Sequence, residues 1–281
     1  MTVSEAKDLL QNTLQSLYDS REAAQICNMV LENLTGMNRT ERAIAKQQLL
    51  NDTQKAQLIA FANDLSEGKP VQYVLGEAWF AGLRFSVNEH TLIPRPETEE
   101  LIEWIKAVAN SEPQRVIDIG TGSGCIPIVL KKEFPLWPVE AIDVSDEALS
   151  IAHQNAHELD AGITFKQVDF LDEANWSTLS NYDIIVSNPP YIKQSEQSSM
   201  AQHVVNHEPH LALFVPDDDA LIFYKKIAAF GKQHLSKKGK IFLEINQVLG
   251  KEVCQLFESS GYQTRLRKDL HENDRMVMVT F

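Results

Sequence analysis

From residue 97 onward, short apolar runs alternate with longer amphipathic stretches, and that alternation leaves few folds open. The spacing predicts helices over 97–108, 126–134, 147–159, 221–235 and 248–260. Between them it predicts strands over 116–119, 139–144, 163–168, 184–187 and 241–245, with strand-like runs at 263–266 and 276–281. Strands that alternate with helices pair in parallel and carry helices on both faces, so the expected class is α/β with a doubly wound, mostly parallel sheet.

The chain before this region carries a helical period and no strand-like alternation. Leu10, Leu14 and Leu17 form one stripe, and Ile26, Met29, Val30 and Leu34 form a second that ends at Gly36. A third helix is expected through Ile44, Leu49 and Leu50, and a fourth, capped by Asp52, through Leu58, Ile59, Phe61 and Leu65 up to Gly68 and Pro70. Alternating apolar residues between Trp79 and Val87, broken at Ala81-Gly82, fit a hairpin, after which Pro94-Arg95-Pro96 extends the backbone. The expected organisation is a helical bundle over 1–75, a β-hairpin linker over 76–96 and the sheet domain over 97–281.

Composition narrows the function classes. With 43% hydrophobic residues and only 12 Gly and 11 Pro in 281 residues, the chain is neither disordered nor collagen-like. No apolar run approaches the roughly 20 residues that cross a bilayer. The opening Met1-Thr2-Val3-Ser4-Glu5 lacks the basic-then-apolar build of an export signal, so a soluble, cytoplasmic protein without a membrane partner is expected. Cys27, Cys125 and Cys254 are far apart and share no ligand spacing, which predicts reduced core thiols, no disulfide and no metal. A formal net charge of -13, from 26 basic and 39 acidic side chains, opposes wrapping a polyphosphate backbone and makes direct nucleic-acid binding unexpected.

The strand over 116–119 runs into Gly120-Thr121-Gly122-Ser123-Gly124 and then a helix, so a ligand can approach the backbone where a strand turns into a helix N-terminus. The next strand ends at Asp143, a place suited to a carboxylate that accepts hydrogen bonds from both hydroxyls of a ribose. The competing readings are an ordinary tight turn for the loop and a turn former before Ser145-Asp146 for Asp143. The loop reads G-x-G-x-G with Asp118 two residues ahead of it, not the G-x-G-x-x-G of a dinucleotide fold, and this resembles S-adenosylmethionine-dependent methyltransferases. Asp169-Phe170, after the third strand, adds a candidate adenine site, although Phe170 alone also suits a core.

The fourth strand, Ile184-Ile185-Val186, ends in Ser187-Asn188-Pro189-Pro190-Tyr191. Consecutive prolines remove two N–H donors and fix the backbone, leaving carbonyl oxygens at the sheet edge beside the cofactor loop. A nitrogen conjugated to a carbonyl or an aromatic ring is a poor nucleophile because its lone pair is delocalised. The Asn188 side-chain oxygen and the Pro189 carbonyl oxygen can each accept one hydrogen of an NH2 group and turn the lone pair toward a sulfonium methyl, with Tyr191 packed on the flat amide or base. The competing reading is a proline loop whose Asn turns the chain and whose Tyr covers the core.

With these motifs the chain resembles the HemK/PrmC family, the glutamine methyltransferases of peptide chain release factors. The likeness runs through the helical N-terminal part, the hairpin, Leu92-Ile93-Pro94-Arg95-Pro96-Glu97-Thr98-Glu99, the 118–124 loop, the 186–192 segment, Glu208-Pro209 with Ala212-Leu213, and Asn273-Asp274-Arg275. The resemblance implies a seven-stranded Rossmann-like methyltransferase sheet and methylation of the side-chain amide nitrogen of the Gly-Gly-Gln glutamine in class 1 release factors, with S-adenosylmethionine as donor. It implies that Gly120 to Gly124 and Asp143 hold the cofactor, with Phe170 by its adenine and Asn188 also in contact. Asn188, Pro189, Pro190 and Tyr191 would hold the glutamine, and the N-terminal bundle would help dock the factor. Pro127, early in the helix after the glycine loop, and Asn206-His207 before Glu208 depart from the family pattern.

His203, His207 and His210 form an H-x3-H-x2-H array, but Pro209 interrupts a common helix face, so a polar loop is expected in place of a metal site. His153 and His157 are expected on a solvated helix face. Arg95 and Glu97 are expected to anchor the interdomain connection, with a lid over the cofactor as the alternative. Two rival functions use the same residues: an amino-group methyltransferase acting on adenine or cytosine in DNA or RNA, and a non-catalytic nucleotide-binding adaptor.

Overall fold

The computed structural model describes residues 1–15, 17–110 and 112–281. The chain divides into two compact units, one holding Met1–Glu77 with Ala201–His207 and the other Ala78–Met200 with Glu208–Phe281.

The first unit is built by α1 (Val3–Leu14), α2 (Ser20–Thr35), α3 (Arg39–Ile44), α4 (Asp52–Ser66) and α5 (Val71–Leu75). Leu10, Leu14, Ile26, Val30, Leu34, Leu58 and Leu65 share its core, as their helical spacing requires. The third stripe is different from the expectation. α3 stops at Ile44, which is 81% exposed, and Leu49 is 69% exposed. The physical reason lies in α1, whose first-turn N–H groups have no intrahelical acceptors. Val3 N donates to Gln48 O and Ser4 N to Lys46 O, and Thr2 bridges Leu49, so the backbone of residues 46–49 leaves the helix in a turn and serves as the partner of α1. Asn51, not Asp52, caps α4: its side chain accepts from Gln54 N while the Gln54 side chain returns to the cap backbone. α5, which the periodicity does not reveal, is a single turn between Pro70 and a left-handed Gly76.

The second unit begins at Ala78, within the hairpin of β1 (Glu77–Phe80) and β2 (Leu83–Ser86), followed by α6 (Pro96–Val108), β3 (Val116–Ile119), α7 (Cys125–Glu133), β4 (Val139–Asp143), α8 (Asp146–Glu158), β5 (Thr164–Gln167) and β6 (Tyr182–Ser187). It continues through β7 (Ile192–Lys193) and, after α9 (Gln202–His207), which belongs to the first unit, through α10 (His210–Leu213), β8 (Phe214–Val215), α11 (Ile222–His234), β9 (Leu235–Glu244), α12 (Gly250–Ser259), β10 (Gln263–Lys268) and β11 (Asp274–Thr280). The seven-stranded sheet has the order β10-β11-β9-β6-β3-β4-β5. The pairs from β5 to β9 are parallel, whereas β11 runs antiparallel to both β9 and β10. β7 and β8 form a separate parallel pair just after the Asn-Pro-Pro-Tyr loop.

Strand periodicity assigns the two faces. Ile117, Ile119, Ile185, Ile241 and Leu243 pack into one core; Val116, Ile184, Val186 and Phe242 pack into the other, with Leu101, Ile102 and Ile105 of α6. From β3 the chain moves to β4 and β5 on one side and then returns to β6 and β9 on the other. The strand order therefore reverses at β3, and the crevice outside the carboxyl ends of β3, β4 and β6 is where this topology binds ligands.

Candidate active site

Register brings the strand ends level. Ile119 pairs with Ile142 on one side and with Ser187 on the other, so the residues that follow each strand open onto the same space. A cavity of about 330 Å³ lies there, within the size range of small-molecule sites, roughly 300–1,000 Å³. Gly120, Gly122, Asp143, Phe170, Asn188, Pro189 and Pro190 line it. Thr121, Ser123, Gly124 and Tyr191 are not among the lining residues.

The loop that forms one wall is shaped by backbone conformation. Gly120, Gly122 and Gly124 have φ of 75°, 54° and 79°, a region that disfavours any side chain. A Cβ on Gly120 or Gly122 would meet nothing within 4 Å, whereas one on Gly124 would lie 3.1 Å from Ala152 Cβ and 3.2 Å from Ile128 Cδ1. The first two glycines keep the wall open, and the third lets α7 approach α8. Asn155, fully buried in α8, clamps the loop: its amide donates to Ser123 O and Ser86 O at 2.9 Å each and accepts from Ser86 N at 2.7 Å.

Asp143 crosses to the loop from β4. One carboxylate oxygen accepts from Gly122 N at 2.8 Å and the other from Ser145 N at 3.0 Å. Burial raises its pKa against the lowering effect of those N–H groups. Phe170 is 5% exposed and stacks on Trp176 at 5.4 Å, so one ring serves both the core and the cavity wall. The neighbouring Asp169 also lines the cavity, its carboxylate accepting from Leu171 N at 3.0 Å.

Beneath the loop, Asp118 is fully buried and neither of its oxygens has a hydrogen-bond partner, as is true of the Thr121 and Ser123 hydroxyls. Burial pushes the Asp118 carboxyl up to about 7, opposed by the nearby Thr121 hydroxyl and aided by the charge of Asp143. An open glycine wall, a carboxylate at the end of the second strand, an aromatic side wall and unsatisfied buried polar atoms at the loop are features that suit a ligand with a charged end and a nucleoside end. The donor set therefore fits S-adenosylmethionine.

At the other wall, Asn188 is half-buried and its Nδ2 donates to Thr98 Oγ1 at 3.2 Å. Thr98 Oγ1 donates to Glu244 Oε2 at 2.6 Å, and the Tyr191 hydroxyl donates to Glu244 Oε1 at 3.3 Å. Burial raises the Glu244 pKa, opposed by the Thr98 hydrogen bond and the Arg275 charge. Burial, together with the Glu244 charge, also raises that of Tyr191. Tyr191 is thereby fastened to the sheet, and its ring packs on the core beside it. Thr98, Glu244 and Asn155 are site-building residues that sequence periodicity passes over. The signal available for Glu244 was its acidic side chain at the end of an apolar strand.

Arg95 pairs with Glu208, which is 3% exposed, and Ile93 N donates to the same carboxylate, so the segment before α6 is tied to the turn before α10. Arg95 and Glu97 are not in the cavity lining. His203 and His207 lie in α9 and His210 starts α10. Among the described residues, no group of three His, Cys, Asp or Glu side chains is placed to hold a metal ion, and no helix is long and apolar enough to cross a membrane.

Comparison with known proteins agrees with this geometry. The Methyltransferase small domain family matches residues 98–212, and the PrmC N-terminal domain family matches residues 8–76. The release factor glutamine methyltransferase of Flavobacterium psychrophilum is 42% identical over 286 aligned positions, covering 100% of both chains. That of Bacteroides thetaiotaomicron is 39% identical, covering 95% of this chain and 96% of its own. Among solved structures, the hMettl16 catalytic domain in complex with MAT2A 3'UTR hairpin 6 superposes with a TM-score of 0.56 at 17% identity, covering 82% of each chain, a likeness of fold.

Proposed function

The chain belongs to the release factor glutamine methyltransferase family, and from that premise we propose that it methylates the side-chain amide nitrogen of the Gly-Gly-Gln glutamine in class 1 release factors. S-adenosylmethionine, when bound, supplies a methyl group on a positively charged sulfur. Gly120, Thr121, Gly122, Ser123 and Gly124 would hold it through the loop backbone, Asp143 through the ribose hydroxyls and Phe170 beside the adenine.

The observation that carries the reading is the disposition of Asn188. One N–H of its amide goes to Thr98 while the side chain lines the cavity, which turns Nδ2 toward Thr98 and leaves Oδ1 as an acceptor beside the glycine wall. Asn188 Oδ1 and the Pro189 carbonyl would each accept one N–H of the glutamine amide. Two such bonds rotate the amide so that its nitrogen lone pair faces the transferring methyl, and they strengthen as positive charge grows on that nitrogen. The sulfur–carbon bonding pair would stay on the donor sulfur as the nitrogen–carbon bond forms, and the methylated nitrogen would release one N–H proton to water, which restores the neutral amide. Pro189 and Pro190 keep the acceptors rigid, and Tyr191, pinned through Glu244, braces the loop that presents them. The 1–75 bundle would dock the release factor, with the 76–96 hairpin leading to the methyltransferase domain over 97–281, and the reaction would take place in the cytoplasm, where release factors act.

Labelled S-adenosylmethionine is offered with a release factor and with the same factor whose motif glutamine is replaced. Label is expected on the first and absent from the second. Equal labelling of both would overturn the assignment of the acceptor atom.

A further inference from the structure

Every side-chain amide has two nearly identical ends, and which end faces a substrate is set by its other neighbours. For Asn188 those neighbours decide the matter through a single proton. The Thr98 hydroxyl carries one hydrogen, and Glu244 takes it in a short bond of 2.6 Å, as a charged acceptor does. What Thr98 Oγ1 then offers Asn188 is a lone pair. Only the NH2 end of Asn188 can satisfy it, so Oδ1 is turned away from Thr98. Thr98 is 2% exposed and Glu244 is 1% exposed, so water does not compete for either group. Glu244 is itself held at its second oxygen by the Tyr191 hydroxyl, and its backbone carbonyl accepts from the Tyr224 hydroxyl at 3.1 Å.

We propose that Thr98 and Glu244 are positioning residues that fix the orientation of the Asn188 amide and so present its oxygen, not its nitrogen, to the substrate NH2. This rests on the glutamine-methylation reading. With the amide reversed, Nδ2 would face the substrate NH2, donor would meet donor, and one of the two acceptors would be lost. The arrangement also explains why a threonine in the first turn of α6, remote in sequence from the reacting loop, is buried against a carboxylate at a strand end.

The test compares Thr98→Val, Thr98→Ser and Glu244→Gln with the native chain and with Asn188→Ala. It reads kcat and KM for a release factor, and cofactor affinity by calorimetry. Thr98→Val keeps the shape and removes the hydroxyl. It is expected to lower kcat about 10²-fold, the scale of a misplaced reacting group, with cofactor affinity within about twofold of native. Thr98→Ser restores the hydroxyl and should recover most of the loss. Glu244→Gln retains volume but can donate an N–H to Thr98 Oγ1, which frees the Thr98 proton for Asn188 Oδ1 and stabilises the reversed amide. It should lower kcat at least about tenfold whether or not Thr98→Val folds. Native kcat in Thr98→Val or in Glu244→Gln, or a Thr98→Ser variant no better than the folded Thr98→Val, would overturn the proposal while the function stands. A native chain that transfers no methyl group to the glutamine would overturn the function and this proposal together.

Discussion

Asp143 and Asn188 face one cavity from strands on either side of β3, and their substitution is expected to do different damage. Asn188→Ala removes an acceptor whose value grows with charge on the glutamine nitrogen, so kcat should fall about 10²–10³-fold with little change in cofactor affinity. Asp143→Asn leaves one acceptor oxygen where two backbone N–H groups now bind separate oxygens, and it would weaken the proposed ribose contact. It should cost about 1.5–3 kcal/mol of cofactor affinity by calorimetry and spare kcat at saturation. A variant of either residue that behaved like the other would refute this division. Asp118 makes a third prediction, about pH. The unfolded chain ionises this group near its ordinary value of about 4, and the folded chain near about 7. Across that interval the folded state keeps a proton that the unfolded state has lost, so the contribution of Asp118 to stability falls as pH rises from about 4 to about 7. Asp118→Asn removes that contribution. The Tm of the native chain should therefore drop further than that of Asp118→Asn between about pH 5 and about pH 7.5, and parallel curves would contradict the buried, raised carboxyl.

At the scale of elements, the glycine loop separates stability from binding within three residues. Gly122 and Gly124 share a left-handed backbone, which costs an alanine roughly 1–2 kcal/mol. Only Gly124 adds a close approach, because its Cβ would press on Ala152 of α8 and Ile128 of α7. Urea unfolding should find Gly124→Ala less stable than Gly122→Ala. Calorimetry should find the larger loss of cofactor affinity in Gly122→Ala, whose new methyl enters the open wall; the reverse order in either measurement would overturn this account. Elements also mark where periodicity carries an argument and where it stops. The runs at 116–119 and 184–187 correspond to β3 and to the last residues of β6, since apolar strands bounded by turn residues state their own ends. A third helix is expected through Ile44, Leu49 and Leu50, yet α1 recruits the 46–50 backbone as a hydrogen-bond partner, a demand that originates elsewhere in the chain.

For the whole molecule, charge separates a protein substrate from a nucleic acid. A formal net charge of -13 repels phosphates, so an RNA or DNA oligonucleotide at about 0.15 M ionic strength should neither be retained nor accept label under conditions in which the release factor does. Labelling of the oligonucleotide would revive the amino-group methyltransferase on bases. The alternation of strands and helices, the glycines that follow β3 and the paired prolines that follow β6 are local patterns, and each acts on its own covalent neighbours. They were sufficient to place the glycine loop, Asp143 and Asn188 at strand ends. Parity goes one step further, setting Val186 and Phe242 on one face of the sheet, the face to which Asn188 and Glu244 also belong. The bond from Asn188 to Thr98 spans 90 residues and that from Thr98 to Glu244 spans 146, so only the tertiary structure decided which atoms of the site are free. Strand order, register and the seating of α6 bring those side chains together. A pattern of neighbours along the chain contains none of these, because a hydrogen bond depends on distance and direction in space.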